Sequence, residues 1–318
     1  MNRKTKITLQ VAVSAVLIGF IFSRINLQEL GAVIRGVSLP LLFLCFALLI
    51  PNYLLRAYRW RLLFQDSSHT ISLTDSSLLL FAGLGLNLFM PAGSGDIAKA
   101  YFGYRWSGVK ERMVSISFLD KLIAVSSISI PGLAASLITS RPIFAALSLL
   151  AGIPLLFVLF FVGWFSRSEK AKDFIDKRAG RKFDFQLFSR QIESSKGKLF
   201  YAVIVSVLGW AVTYFIFFIC FRMIDSQISL YYVFSVSPIL TLARLFPFSL
   251  NGLGSDEAVI GFLFLGSGLE SEKVLAAALL YRVVLLIIPG LAGLIILNLK
   301  RKIITSNDET VQSDIWDF

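Results

Sequence analysis

The chain has 318 residues, of which 56% are hydrophobic and 16% are charged, and its mean hydropathy is +0.75. A soluble domain carries about 25% charged residues, whereas several stretches here run for about 20 residues with few or no charges, the length of a membrane-spanning helix. The net charge of +11 comes from basic residues that flank these stretches, so we do not expect nucleic-acid binding. One His and two Cys exclude a Cys/His metal cluster, and we expect no cofactor.

The first half of the chain contains four predicted apolar elements. Residues 7–23 form the first expected membrane helix, which we expect to be retained because no A-x-A-like cleavage site follows it. Residues 39–55 form the second. Residues 76–102 form a hairpin broken by Pro and Gly, whose first arm is too short to cross comfortably. A long helix over 113–138 completes this half.

The second half repeats the pattern, with a polar loop between its first two spans. A span is predicted at 142–165, followed by a strongly basic loop at 166–198 that we expect in the cytoplasm. The next span covers 199–221, a second broken region covers 230–265, and the last span covers 274–299.

These elements predict an all-α polytopic membrane protein made of two inverted halves. Each half reads as helix, helix, broken hairpin, helix, so re-entrant hairpins leave three full crossings per half and turn the second half upside down. We therefore expect about six transmembrane helices plus two broken or re-entrant hairpins, or seven or eight helices if the hairpins cross. The expected organisation is one transmembrane domain over 1–306, with repeats at 7–138 and 142–300, and a disordered acidic tail at 307–318.

The distribution of basic residues predicts the orientation. With the N-terminus inside, 23 of the 31 Lys and Arg residues fall in cytoplasmic segments and six in outer segments. Because cytoplasmic loops are enriched in Lys and Arg, both termini are expected to be cytoplasmic. The same count does not separate re-entrant from fully crossing hairpins.

The two Pro/Gly-rich breaks are the predicted transport site. Non-helical backbone at membrane depth is tolerated only where it is buried in protein or lines a cavity, and paired breaks in two repeats mark a binding site near the bilayer centre. Glycines allow positive φ, and freed N–H groups attract an anion such as a phosphate headgroup. The acidic residues after each break suit helix capping equally well. The predicted site residues are Asn87, Pro91, Gly93, Gly95 and Asp96 in the first break, and Arg244, Pro247, Asn251, Gly252, Gly254 and Glu257 in the second.

Three further ionisable residues, Asp120, Lys121 and Arg282, fall inside predicted spans, where charges are costly and face the protein interior or a partner. Asp120 and Lys121 are adjacent, so they point about 100° apart on a helix and each needs another partner. One hypothesis pairs Asp120 with Arg282, either as a static ion pair or as part of a headgroup or proton-relay site.

The second predicted helix runs into a basic and aromatic segment that contains Arg56, Arg59 and Trp60. Such residues are typical of the membrane–water interface. We expect them to act as interfacial anchors, with contact to headgroup phosphates as the alternative.

Four motifs together resemble the lysylphosphatidylglycerol synthase transmembrane region, or flippase-like, family, and the resemblance covers roughly residues 7–300. Their order and spacing are more specific than any motif alone. They are Arg56-Ala-Tyr-Arg59-Trp60-Arg61-Leu62-Leu63, Asn87-x3-Pro91-x3-Gly95-Asp96-x2-Lys99, Pro247-x4-Gly252-Leu-Gly254-x2-Glu257, and Tyr281-Arg282 followed by Pro289-Gly290.

The resemblance implies a lipid flippase or transporter in a prokaryotic plasma membrane. Its substrate would be an anionic or aminoacylated phospholipid or a polyprenyl-linked glycan. The resemblance leaves open whether the protein forms a homo-oligomer or binds an envelope enzyme. Two residues depart from the family pattern: Lys99 stands where Arg is frequent, and Asp256 precedes Glu257. The chain ends at residue 318, so we expect no soluble aminoacyl-transferase domain, no synthase activity and no enzyme.

Two alternative functions remain open at this stage. The protein would be a non-transporting membrane partner of a lipid or cell-envelope glycosylation enzyme if the basic loop at 166–198 is a docking surface. A membrane-embedded headgroup enzyme is the weaker alternative, since the lone His69 lies outside the predicted spans.

Overall fold

The structure is a computed structural model, and its regular secondary structure is helical throughout the residues that it describes. These are residues 3–23, 25–65, 70–88, 94–107, 110–165, 185–224, 227–244, 249–264 and 267–299. The α-helices in chain order are α1 (Arg3–Ser23), α2 (Leu27–Arg35), α3 (Leu39–Phe64), α4 (Leu73–Asn87), α5 (Ser94–Ser107), α6 (Lys110–Ser127), α7 (Ser129–Ile138), α8 (Pro142–Phe165), α9 (Phe185–Arg222), α10 (Leu230–Ala243), α11 (Ser255–Phe264), α12 (Ser271–Arg282) and α13 (Ile288–Leu299).

Several of these helices are long and apolar enough to cross a membrane. Within the described residues four segments meet that test: Leu39–Phe64, Met113–Ile138, Gly197–Arg222 and Ser271–Leu299. α1 and α2 bend by 88° at the break between them and supply a fifth segment if they act as one span. The prediction of a multi-pass helical membrane protein is therefore confirmed.

Two helices are longer than the sequence suggested. α3 continues nine residues past the predicted end at Leu55, through the whole basic and aromatic segment. α9 begins at Phe185, inside the predicted basic loop. Polar residues end a membrane segment but do not end a helix, because Arg, Lys and Gln are good helix formers.

The two broken hairpins enter from opposite ends of the helix bundle. At one end, the Ser38 amide donates to the Met223 carbonyl at 3.0 Å, shortly before α10 begins. At the other end, the Lys198 ammonium donates to the Gln65 carbonyl, shortly before α4 begins. α4 and α10, with 15 and 14 residues, are about 20 Å long at 1.5 Å per residue. Each arm is shorter than the roughly 30 Å hydrocarbon core.

Small residues let α4 pack directly on α13. A Cβ atom on Gly293 would lie 2.0 Å from the Phe81 carbonyl oxygen, and one on Gly85 would lie 2.8 Å from the Leu294 nitrogen. Glycine pairs of this kind allow two backbones to touch, as in other membrane helix crossings. The contact holds the first hairpin against the last helix of the chain.

The last span changes its hydrogen-bond pattern immediately after Arg282. Residues Val283–Ile287 form a π-helical turn between α12 and α13, a feature often found at functional sites. Pro289 has no N–H with which to bond the Leu285 carbonyl, and that carbonyl instead accepts from the Tyr53 hydroxyl at 3.0 Å. The turn thus fixes the stretch of helix that carries Arg282 against α3.

Candidate functional site

A buried ion network joins α3, α5, α6 and α9. The Asp120 carboxylate accepts from Arg59 Nε at 2.7 Å and from Lys99 Nζ at 2.8 Å, and the three side chains are at most 8% exposed. Arg59 also donates to the Ser206 hydroxyl at 2.7 Å. The Lys99 ammonium lies 5.8 Å from the Trp60 ring centre. Every charge in this part of the network has an opposite charge beside it, which burial requires.

The network continues outward to an accessible ion pair. Lys99 Nζ lies 3.6 Å from Asp96 Oδ1, and Lys121 Nζ lies 2.9 Å from Asp96 Oδ2. The Asp96 and Lys121 side chains are 41% and 50% exposed. We call these residues, together with Arg59 and Asp120, the first charged cluster. Its charges alternate in sign from a buried end to an exposed end.

The hypothesis that Asp120 pairs with Arg282 is wrong. Asp120 is bound by Arg59 and Lys99, whereas Arg282 binds Glu257. Asp120 is buried and its neighbour Lys121 is half exposed, as expected for side chains about 100° apart on a helix. Their partners lie on helices that the sequence alone did not bring together.

The expectation that Arg59 and Trp60 act as interfacial anchors also needs correction. The Arg59 and Trp60 residues are 7% and 1% exposed, because α3 continues into the bundle, and the Arg59 charge is neutralised by Asp120. Arg56 is half-buried, and its guanidinium lies 5.3 Å from the Tyr53 ring centre.

The second charged cluster, formed by Arg244, Asp256, Glu257 and Arg282, lies behind the tip of the second hairpin. Arg282 donates to both Glu257 oxygens, at 2.6 and 3.0 Å, which is a bidentate pair. It also donates to the Gly252 carbonyl at 2.7 Å and the Asn251 carbonyl at 3.3 Å. Arg282 therefore clamps the non-helical turn that precedes α11.

Arg244 closes the other side of this cluster. Its Nε and NH2 groups donate to one Asp256 oxygen at 3.0 and 2.9 Å, and its NH1 group donates to the Tyr281 hydroxyl at 3.2 Å. Arg282 NH2 lies 3.4 Å from the same Asp256 oxygen. Asp256, noted in the sequence only as a departure from the family pattern, is thus the residue that couples the two arginines.

The two acidic residues after the breaks differ in how they are used. Glu257 accepts from the Gly254 amide at 2.9 Å, three residues upstream, so it caps α11 as well as pairing with Arg282. Asp96 also lies in the first turn of its helix, α5, and it binds the lysines of the first cluster. Capping and ion pairing are thus combined at Glu257.

The two hairpin tips touch. The Asn251 side-chain amide donates to the Asn87 carbonyl at 2.7 Å, and the Asn87 side-chain oxygen accepts from the Gly95 amide at 2.7 Å. A Cβ atom on Gly95 would lie 2.3 Å from the Gly83 carbonyl oxygen, so only glycine fits there. Asn251 and Gly252 adopt positive φ of 51° and 76°, which the turn requires.

The structure therefore brings most of the predicted site residues into one connected region. Pro91, Gly93 and Pro247 lie outside the described residues.

Sequence reasoning missed Ser206 and Tyr281 as partners of the arginines. Asn52 and Arg59, seven residues apart on α3, contact Thr213 and Ser206 on α9, also seven residues apart. That shared spacing places each pair on one helix face, and it is the sequence signal that is consistent with polar contacts between α3 and α9.

Substitution of Arg282 by lysine tests the clamp. The variant keeps the charge but loses the bidentate pair and bonds to the turn, so we expect its free energy of unfolding to fall by about 1.5–3 kcal/mol. Arg244→Lys is the matched control, because Arg244 is 33% exposed, against 10% for Arg282. Unfolding of both purified variants in mixed micelles measures the difference. A larger loss in Arg244→Lys than in Arg282→Lys would contradict the assignment of the clamp.

These features define the class: a multi-pass helical membrane protein in which two broken hairpins meet tip to tip, each backed by a charged cluster. Residues 7–293 match the family described as the lysylphosphatidylglycerol synthase TM region. The chain belongs to this family, which indicates a membrane lipid-related function. A search of curated proteins finds no match to the chain.

Proposed function

We propose that the protein is a lipid flippase or transporter that moves a phospholipid or lipid-linked substrate between membrane leaflets, without catalysing a chemical reaction. The observation that carries this proposal is the contact of two oppositely inserted hairpins, Asn251 to Asn87, between two charged clusters. Such a junction of broken helices is where transporters with repeated halves bind their substrates. Membership of a lipid-related membrane family supports a lipid as the substrate.

The exposed end of the first charged cluster is the proposed headgroup contact. The Asp96–Lys121 pair is about half exposed, and exposed ion pairs contribute about 0–1 kcal/mol. A phosphate that accepts charge-assisted hydrogen bonds from Lys121 makes a contact of the same kind at the same position. Phosphate can therefore replace Asp96 as the partner of Lys121 at little cost.

The buried remainder of the first cluster keeps that contact in place. Lys99 is held between Asp120 and Asp96, at 2.8 and 3.6 Å, and it remains beside Asp96 when Lys121 turns to the substrate. Asp96 then retains a positive partner throughout the exchange. The arrangement gives Asp96 a gating role that requires no unpaired charge at any step.

We further propose the arrangement of this protein in the membrane. The hairpins are re-entrant, about six helices cross fully, the two halves are inverted repeats, and both termini are cytoplasmic. The short hairpin arms, their entry from opposite ends and the distribution of basic residues support this topology. The location is the cell membrane of a prokaryote.

Transport in proteoliposomes tests the proposal. Purified protein is reconstituted with labelled phosphatidylglycerol, lysyl-phosphatidylglycerol, phosphatidylethanolamine or a polyprenyl-phosphate lipid, with and without a proton gradient. We expect movement of one lipid class, and we expect Lys121→Met to lower its initial rate at least tenfold, roughly the 1.4 kcal/mol of one charge-assisted contact.

The matched control is Lys273→Met. Lys273 is also part-exposed and also paired with a carboxylate, Glu270 at 3.0 Å, but it lies at the start of α12, away from the hairpin tips. Its removal should leave the rate unchanged. Equal losses in both variants, or no movement of any lipid by wild-type protein, would overturn the proposal and favour a partner role.

A further inference from the structure

A polar cavity lies outside the hairpin site. It has a volume of about 630 Å³, within the range of small-molecule sites. It opens at the end of the bundle where the α7–α8 turn, the α9–α10 loop and the α11–α12 loop come together. Its charged wall residue is Arg141, and its other lining residues are Thr139, Gln227, Ile228, Ser229, Tyr232, Ser267, Gly268 and Leu269.

The backbone fixes Arg141 at the mouth of this cavity. α7 ends in a Schellman motif, in which the Arg141 amide donates to the Ser136 carbonyl at 2.9 Å and the Ser140 amide donates to the Leu137 carbonyl at 3.2 Å. Ser140 takes the left-handed conformation at φ 52°, a position that glycine usually occupies. The chain therefore turns sharply into α8 with Arg141 at the corner.

Two aromatic rings hold the Arg141 side chain. The guanidinium carbon lies 4.7 Å from the Tyr232 ring centre and 5.6 Å from that of Phe144. The Tyr232 hydroxyl donates to the Leu263 carbonyl at 2.5 Å, which fixes the ring that supports the guanidinium. Stacking on a ring leaves the in-plane N–H groups of arginine free to bind an oxyanion.

The other described lining residues add hydrogen-bond donors and carry no negative charge. Among the described residues, no carboxylate lies within ion-pairing distance of Arg141. Ser229 makes no capping bond to α10, and the Ser267 oxygen accepts from the Leu269 amide at 3.4 Å while its own proton remains available. The nearby Glu270 is paired with Lys273 at 3.0 Å.

We propose that this cavity is a phosphate-binding site, in which Arg141 binds two phosphate oxygens and the serine hydroxyls bind the others. The ligand is a phosphate monoester or diester, presented either by a lipid headgroup or in solution. A planar arginine fork with hydroxyl donors around it suits a tetrahedral oxyanion. The site is separate from the hairpin tips and does not depend on the proposed transport function.

Binding to purified full-length protein in a neutral detergent tests this site. Isothermal titration calorimetry with inorganic phosphate and with dihexanoyl-phosphatidylglycerol separates the two sources, and dihexanoylglycerol serves as the ligand without phosphate. We expect Arg141→Gln to weaken binding at least about tenfold. Arg141→Lys, which keeps the charge but loses the fork and the stack, should weaken it less. Arg35→Gln, an exposed arginine at the end of α2, should bind like wild type.

Each outcome decides the proposal. Binding of inorganic phosphate without the phospholipid assigns a soluble ligand, and binding of the phospholipid without inorganic phosphate or dihexanoylglycerol assigns a headgroup. Binding of both phosphate probes, weakened by Arg141→Gln, assigns a phosphate site that accepts either source. Wild-type affinity in Arg141→Gln, or no binding of either probe by wild-type protein, would overturn the site. If Arg141→Gln does not fold, as judged by its melting temperature, the affinity of Arg141→Lys is compared with wild type instead. Weaker binding supports the site, and wild-type affinity overturns it. Failure of the proposed transport function in the proteoliposome test would not change these binding results.

Discussion

Replacement of Asp120 by asparagine is expected to lower the free energy of unfolding by about 3–5 kcal/mol. The Asp120 carboxylate is shared by Arg59 and Lys99, and all three side chains are at most 8% exposed. Loss of the one negative charge between them leaves two cations in a site from which water is excluded. Unfolding of the variant and wild type by SDS in lipid–detergent micelles measures the loss.

Asp96→Asn is the matched control for this prediction. Asp96 is also a carboxylate shared by two lysines of the same cluster, but its side chain is 41% exposed. Water can therefore solvate the charges that it leaves behind, and we expect a loss of at most about 1 kcal/mol. Equal losses in the two variants would show that burial of Asp120 does not govern its contribution.

The membrane class and the location of the candidate site were predictable from the sequence because both depend on local composition. Long apolar stretches indicate spans, and two Pro/Gly-rich breaks mark the points where helices stop. The hydrogen bond between Asn251 and Asn87 lies at these breaks. The chemistry of a break, glycine for close approach and polar side chains for freed backbone, can be recognised without knowing the fold.

Ion-pair partners were not predictable in the same way. Asp120 required a partner in any fold, because a lone charge inside a span is costly. The choice between Arg282 and Arg59 depends on which helices pack together, and hydropathy contains no such information. The sequence placed Arg59 at an interface because Arg and Trp are common there, whereas α3 extends to Phe64 and buries Arg59 against Ser206 on α9.

Substitution of Gly293 by alanine is expected to cost about 3 kcal/mol or more of unfolding free energy. The added Cβ atom would lie 2.0 Å from the Phe81 carbonyl oxygen and 2.7 Å from the Gly85 nitrogen. Both are backbone atoms, so no side-chain rotation relieves the clash and α4 must move away from α13. Unfolding in SDS titrations measures the loss of stability.

Gly261→Ala separates this steric effect from the general effect of adding a methyl group to a helix. Gly261 lies inside α11, and a Cβ atom added there would meet no heavy atom within 4 Å. Because alanine is a better helix former than glycine, Gly261→Ala should be neutral or stabilise the protein by up to about 1 kcal/mol. A displaced α4 also carries Asn87 away from Asn251, so under the proposed transport function Gly293→Ala should lose lipid movement together with stability. A Gly293→Ala protein as stable as wild type would contradict direct backbone packing of α4 on α13.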